Sequence, residues 1–136
     1  MNSSIKLKSK IENWKILSQF IESFLKKYYC NKNFVYEFLL SCEEIFVNIC
    51  FYAYKNSEGE ISVDIYLIKN YIKIVFFDNG IKFDPTKFEN KNINSKIYNR
   101  KPGGLGIFLV KKFMNSMKYA RKDNKNILVM TKKLGR

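Results

Sequence analysis

Hydrophobic residues in this chain change their spacing in a set order, and that order restricts the fold more than any other feature. Ile11, Trp14, Leu17, Phe20, Ile21, Phe24 and Leu25 recur at intervals of three and four, which is the stripe of a helix that buries one side. A second helical stripe begins near Asn33, with Phe34, Phe38, Ile45, Ile49 and Tyr52 as its buried face, and ends before the turn-like Asn56-Ser57-Glu58-Gly59. The period then falls to two. Ile61, Val63, Ile65 and Leu67 alternate with Ser62, Asp64 and Tyr66, and after a turn at Asn70 the β-forming run 71–77 completes a hairpin. A third helix opens at Gly103-Gly104-Leu105-Gly106, with Ile107, Val110, Phe113, Met114 and Met117 on one side. Two further strands, 118–121 and 127–132, are joined by the turn Asp123-Asn124-Lys125-Asn126, and residues 2–8 suit a short edge strand.

Helices and strands in the order αα-ββ-α-ββ predict an α+β two-layer sandwich, a mixed and mostly antiparallel sheet with helices on one face. A doubly wound parallel sheet would alternate strand with helix and is ruled out by that order. No repeat, proline-rich hinge or low-complexity linker divides the 136 residues, so a single domain over 1–136 is expected. Residues 84–103 are rich in Asn and Lys and have no period. A loop of about 20 residues in so small a domain usually serves as a lid. Residues 1–15 contain no apolar run of signal-peptide length, and no segment reaches membrane-span length, so a cytoplasmic protein without a membrane partner is expected.

The chain has no histidine. That excludes Ser-His-Asp and Cys-His catalysis, histidine metal ligation and phosphorylation of its own histidine. Cys30, Cys42 and Cys50 form no CxxC pair and read as reduced, mostly buried thiols. The net charge is +13, unevenly placed: residues 82–136 hold fifteen Lys and Arg against three Asp and Glu, whereas residues 31–66 hold two against six. A basic half facing an acidic middle suits an anionic ligand, an acidic protein partner, or both. No RNA-binding aromatic motif or basic recognition helix is present, and no direct contact with nucleic acid is expected.

Three polar or glycine-rich islands interrupt the patterned elements. Glu44 and Asn48 stand four apart on the second helix, a carboxylate one turn from an amide oxygen. Taken alone they read first as a solvated helix face, and otherwise as a general base and a ligand for a hard cation. Asp78-Asn79-Gly80 begins where a buried strand ends. It suits an acceptor for an exocyclic amine with room for a flat ring, or a plain turn. Pro102-Gly103-Gly104-Leu105-Gly106 lies at a helix start, where free N–H groups favour phosphate, yet it matches neither a P-loop nor a GxGxxG fingerprint.

Taken together, Glu-x-x-x-Asn, Asp-x-Gly-x-x-Phe-Asp-Pro and Gly-Gly-Leu-Gly-Ile-x-Leu-Val resemble in order and spacing the N, G1 and G2 boxes of the GHKL (Bergerat-fold) ATPases. Within that superfamily, the size is similar to that of the small bacterial anti-sigma-factor serine kinases. The resemblance implies a histidine-kinase-like ATPase domain that binds ATP and Mg²⁺ and phosphorylates an anti-anti-sigma protein of the STAS type, with a sigma factor as a second partner and a homodimer as the common assembly. It implies Asn48 as the Mg²⁺ ligand, Glu44 as the base, Asp78 at the adenine amine and Gly80 beside the ring. Gly103, Gly104, Leu105 and Gly106 would cradle the phosphates, and Arg100 and Lys101 would reach the γ-phosphate from a lid over 84–103. The alternative is a non-catalytic, ATP-dependent partner-switching module. A threonine usual on the last strand of the family aligns with Val129, with Thr131 two residues on, and the usual His-Gly-Tyr-like segment reads Tyr52-Ala53-Tyr54.

Overall fold

A computed structural model of the chain describes residues 2–55, 57–87 and 104–135. Strand β1 (Asn2–Lys8) leads through a single 3₁₀ turn, Ile11–Asn13, into helices α1 (Trp14–Lys26) and α2 (Lys32–Asn48). Strands β2 (Glu60–Ile68) and β3 (Tyr71–Asp78) follow, then helix α3 (Gly104–Phe113) and strands β4 (Ser116–Lys122) and β5 (Lys125–Lys133). Asn31 sets the start of α2, because its side chain accepts the Phe34 N–H at 2.8 Å and so satisfies one of the helix's unpaired donors. Met117, in phase with the α3 stripe, instead lies in β4, since the helix ends at Phe113.

The five strands order as β1-β2-β3-β5-β4. Every pairing among the described strands is antiparallel, so the parallel component of the expected mixed sheet does not arise. The reason lies in the connections. Hairpins join β2 to β3 and β4 to β5, while the α3 crossover carries the chain past β3 and lets β5 return between β3 and β4. The β4–β5 turn is closed by Asp123 and Asn124, both with positive φ (51° and 61°), the conformation that matches the twist of a tight hairpin.

One face of the sheet is covered. Ile61, Val63 and Ile65 of β2, Ile72, Ile74 and Phe76 of β3, and Leu128 and Met130 of β5 meet Leu17, Ile21 and Leu25 of α1, Phe38, Cys42, Ile45 and Phe46 of α2, and Ile107 and Val110 of α3. Each such side chain, removed from water, contributes about 1.5–3 kcal/mol, and this offsets the entropy of ordering the chain. Trp14 closes the outer end of the helical layer against Phe46, with ring centroids 6.1 Å apart. No helix among the described residues is long and apolar enough to cross a membrane.

Candidate functional site

Helix α2 does not stop at Asn48 in an ordinary cap. It runs into a π-helical turn, Ile49–Ala53, closed by a bond from the Tyr54 N–H to the Ile49 carbonyl at 3.0 Å. Such wide turns recur next to functional residues because they re-aim the backbone. Here the turn directs the Ala53 carbonyl outward, where it accepts the Ile81 N–H at 2.9 Å. Tyr54 adds a second tie: its hydroxyl donates to the Glu60 carbonyl at 2.7 Å and accepts the Asn79 N–H at 2.8 Å. The first island is thereby bolted to the second.

Asn48 is completely buried. Its amide nitrogen faces Glu44 Oε1 at 3.4 Å, and its Oδ1 has no hydrogen-bond partner among the described residues. A buried carbonyl oxygen left without a donor is costly, and a hard cation is one way to satisfy it. One neutral oxygen beside one carboxylate suits a cation held mainly by a ligand's own oxygens and by water, since no group of three or more carboxylates or thiols that could cage a metal occurs among the described residues.

Glu44 reaches across to the first turn of α3. A Cβ built on Gly106 would stand 1.9 Å from Glu44 Cδ and 2.2 Å from each carboxylate oxygen, so the missing side chain of Gly106 is what admits the acid there. Gly104 and Leu105 lie in the same helical turn. Arg100, Lys101 and Gly103 lie outside the described residues, as does most of the segment 84–103 expected to form a lid. Residues 84–87 at its start form a hydrogen-bonded turn, where the absence of a period led to the expectation of an irregular loop from residue 84. Asp84 Oδ1 accepts the Thr86 N–H at 2.9 Å, the 3₁₀ turn Pro85–Lys87 follows, and Lys111 of α3 donates to the Thr86 carbonyl at 3.0 Å.

Asp78 ends β3 and is 4% exposed. Burial pushes its carboxyl above the usual aspartate range, while the Asn126 amide, the Gly80 N–H and the Arg121 guanidinium pull the other way. A tight cleft of about 10 Å³, room for a single water molecule, lies in front of it, lined in part by Asn48, Phe83, Tyr119 and Leu128. Phe83 stacks on Tyr52 with centroids 4.8 Å apart, which gives the cleft an aromatic rim.

A family model described as the histidine kinase-like ATPase domain matches residues 7–132. This chain belongs to that family. Among its relatives, the serine-protein kinase RsbW of Bacillus cereus (strain G9842) is 29% identical over 101 residues, which is 71% of this chain and 62% of the relative. The serine-protein kinase RsbW of Bacillus anthracis (strain CDC 684 / NRRL 3495) gives the same figures. The chain therefore spans 62% of the length of these curated relatives. The crystal structure of the RsbU and RsbW domains of Rv1364c from Mycobacterium tuberculosis shares the fold, with a TM-score of 0.70 at 14% identity over 100% of this chain and 33% of that one.

Within this histidine kinase-like ATPase domain, close packing and strand register bear on two sequence expectations. At Gly80 a Cβ would fall 2.4 Å from the Ala53 carbonyl oxygen, so this glycine also answers to the close approach of two backbones. Neither Val129 nor Thr131 neighbours Asp78, because they pair with Val75 and Lys73. The residue opposite Asp78 is Asn126, which the sequence reading missed by assigning it to a four-residue turn. The signal was present in Asp123-Asn124, a pair suited to a two-residue hairpin loop that returns Asn126 to the strand.

Proposed function

We propose that this chain is an ATP- and Mg²⁺-dependent protein serine/threonine kinase of the cytoplasm that phosphorylates an anti-anti-sigma protein of the STAS type, with a sigma factor as its second partner. The observation that carries the reading is Asn48 Oδ1, buried without a donor among the described residues one helical turn from the Glu44 carboxylate, which itself abuts the first turn of α3. Asn48 would hold Mg²⁺, which when bound neutralises charge on the phosphates. Glu44 would receive the proton of the attacking hydroxyl. Asp78 would accept the adenine amine, and the N–H groups of the first turn of α3, with its dipole, would face the phosphates. Phosphoryl transfer asks chiefly for this positioning and charge compensation, which is consistent with a chain that has no histidine. A non-catalytic module would have no use for a carboxylate at Glu44, and its seat against Gly106 favours the kinase.

Calorimetric titration with ATP and ADP, with and without Mg²⁺, tests the nucleotide site. Saturable Mg²⁺-dependent binding that Asp78→Asn abolishes is expected, and absence of binding at millimolar nucleotide would overturn the reading. Phosphotransfer to a STAS-type protein that Glu44→Gln abolishes while nucleotide binding persists is expected for the base.

A further inference from the structure

Asn126 is 4% exposed and uses every hydrogen-bonding position its side chain has. Its amide nitrogen donates to Asp78 Oδ1 and to the Ile81 carbonyl, each at 2.8 Å. Its Oδ1 accepts the Phe83 N–H at 3.3 Å and the Tyr119 hydroxyl. Two donors and two acceptors are thus satisfied at one neutral residue. Serine or threonine could supply one donor, and aspartate none when ionised.

The effect on Asp78 is asymmetric. Oδ1 receives both the Gly80 N–H at 2.9 Å and the Asn126 amide, whereas Oδ2 has no hydrogen-bond partner among the described residues. We infer that Asn126 is the positioning residue for base selection: by occupying Oδ1 it leaves Oδ2 as a pure acceptor, so that the ligand must present a hydrogen-bond donor. Adenine offers its 6-amine there, whereas guanine offers the 6-oxo group, an acceptor that would meet the carboxylate lone pair. The same side chain fixes the Ile81 carbonyl and the Phe83 N–H, and so sets the cleft wall that carries Phe83. This inference rests on the nucleotide reading of the site.

Titrations of the full chain and of Asn126→Asp with ATP and GTP, over a range of pH, test it, with melting temperature as the check on folding. The wild type should prefer ATP. In Asn126→Asp a second carboxylate adjoins Asp78, and the pair must share a proton before either oxygen is correctly set. The preference for ATP should fall at least about tenfold, and the pH below which ATP binding is lost should move upward from that of the wild type. A folded Asn126→Asp variant that keeps the wild-type preference and pH profile overturns the role of Asn126 alone. A wild type that binds neither nucleotide overturns the reading of the site together with this inference. If the variant does not fold, the wild-type chain decides by NMR: ATP, and not GTP, should shift the Asn126 side-chain amide signals, and signals unmoved by ATP overturn the inference.

Discussion

Glu44 and Gly106 occupy one another's space: the carboxylate sits where any side chain at position 106 would begin. The obstruction is the far end of a flexible side chain, so an added methyl group displaces the acid and leaves the helix intact. Alanine also suits a helix better than glycine by about 1 kcal/mol. Gly106→Ala should therefore melt no lower than the parent, while phosphotransfer to a STAS-type substrate at saturating ATP falls about a hundredfold, the scale of a general base moved out of reach. Parallel thermal melts and phosphotransfer rates check it. A variant of unchanged rate would show that the seat of Glu44 is immaterial.

Gly80→Ala should behave in the opposite way. Its Cβ would press on the Ala53 backbone, which is held by the Ile81 N–H and cannot swing aside. A loss of about 1–3 kcal/mol in urea unfolding is expected, typical of overfilling a tight contact. Nucleotide affinity should fall with it, because the Gly80 N–H that steadies Asp78 would shift.

Asp78 links stability to pH. Burial raises its folded pKa, so the native state holds the proton more tightly than the unfolded chain does. Below the unfolded value the carboxyl is neutral in both states. As pH rises from there through the raised folded value, the wild type loses stability relative to Asp78→Asn, and the difference is constant above it. The apo Asp78→Asn variant should then melt at or above the wild type at neutral pH, with the gap closing in acid, even though it binds no nucleotide. A variant less stable than the wild type at neutral pH, by an amount that does not vary with pH, would contradict this.

Lys132 joins three elements. Its ammonium lies 3.0 Å from Glu37 of α2, donates to the Phe113 carbonyl at the end of α3 at 2.6 Å, and stands 5.5 Å from the centre of the Phe34 ring. Its side chain is 13% exposed, against 34% for Glu37, so the pair is only partly screened. Lys132→Met should lower unfolding free energy by about 1–3 kcal/mol, since it strands a helix-terminal carbonyl as well as a carboxylate. In a double-mutant cycle with Glu37→Gln the two changes should be markedly non-additive.

Periodicity made the element order readable: residues that face the core repeat at three and four in α1 and α2 and at two in β2, and burial of one face enforces that spacing. Glu44, Asn48 and Asp78 were readable as candidates because each breaks an apolar run. What the sequence concealed depends on contacts between distant segments. The π turn after Asn48 reads as a continuing helix, since nothing in Tyr52-Ala53-Tyr54 announces that Ala53 must offer its carbonyl to Ile81. Asn126 looked like turn filler because its partner, Asp78, lies 48 residues away. Met117 fits the α3 stripe in phase, and only the end of the helix at Phe113 places it in a strand.

Among the described strands β4 forms an outer edge of the sheet, and Lys118, Ala120 and Lys122 are its exposed residues. An unpaired edge invites another strand to add to it, and closely spaced lysines oppose that by setting like charges against any copy that approaches. Part of the positive charge on this chain thus has a use independent of any partner: it keeps an open ladder of backbone groups from recruiting a second molecule of the same kind.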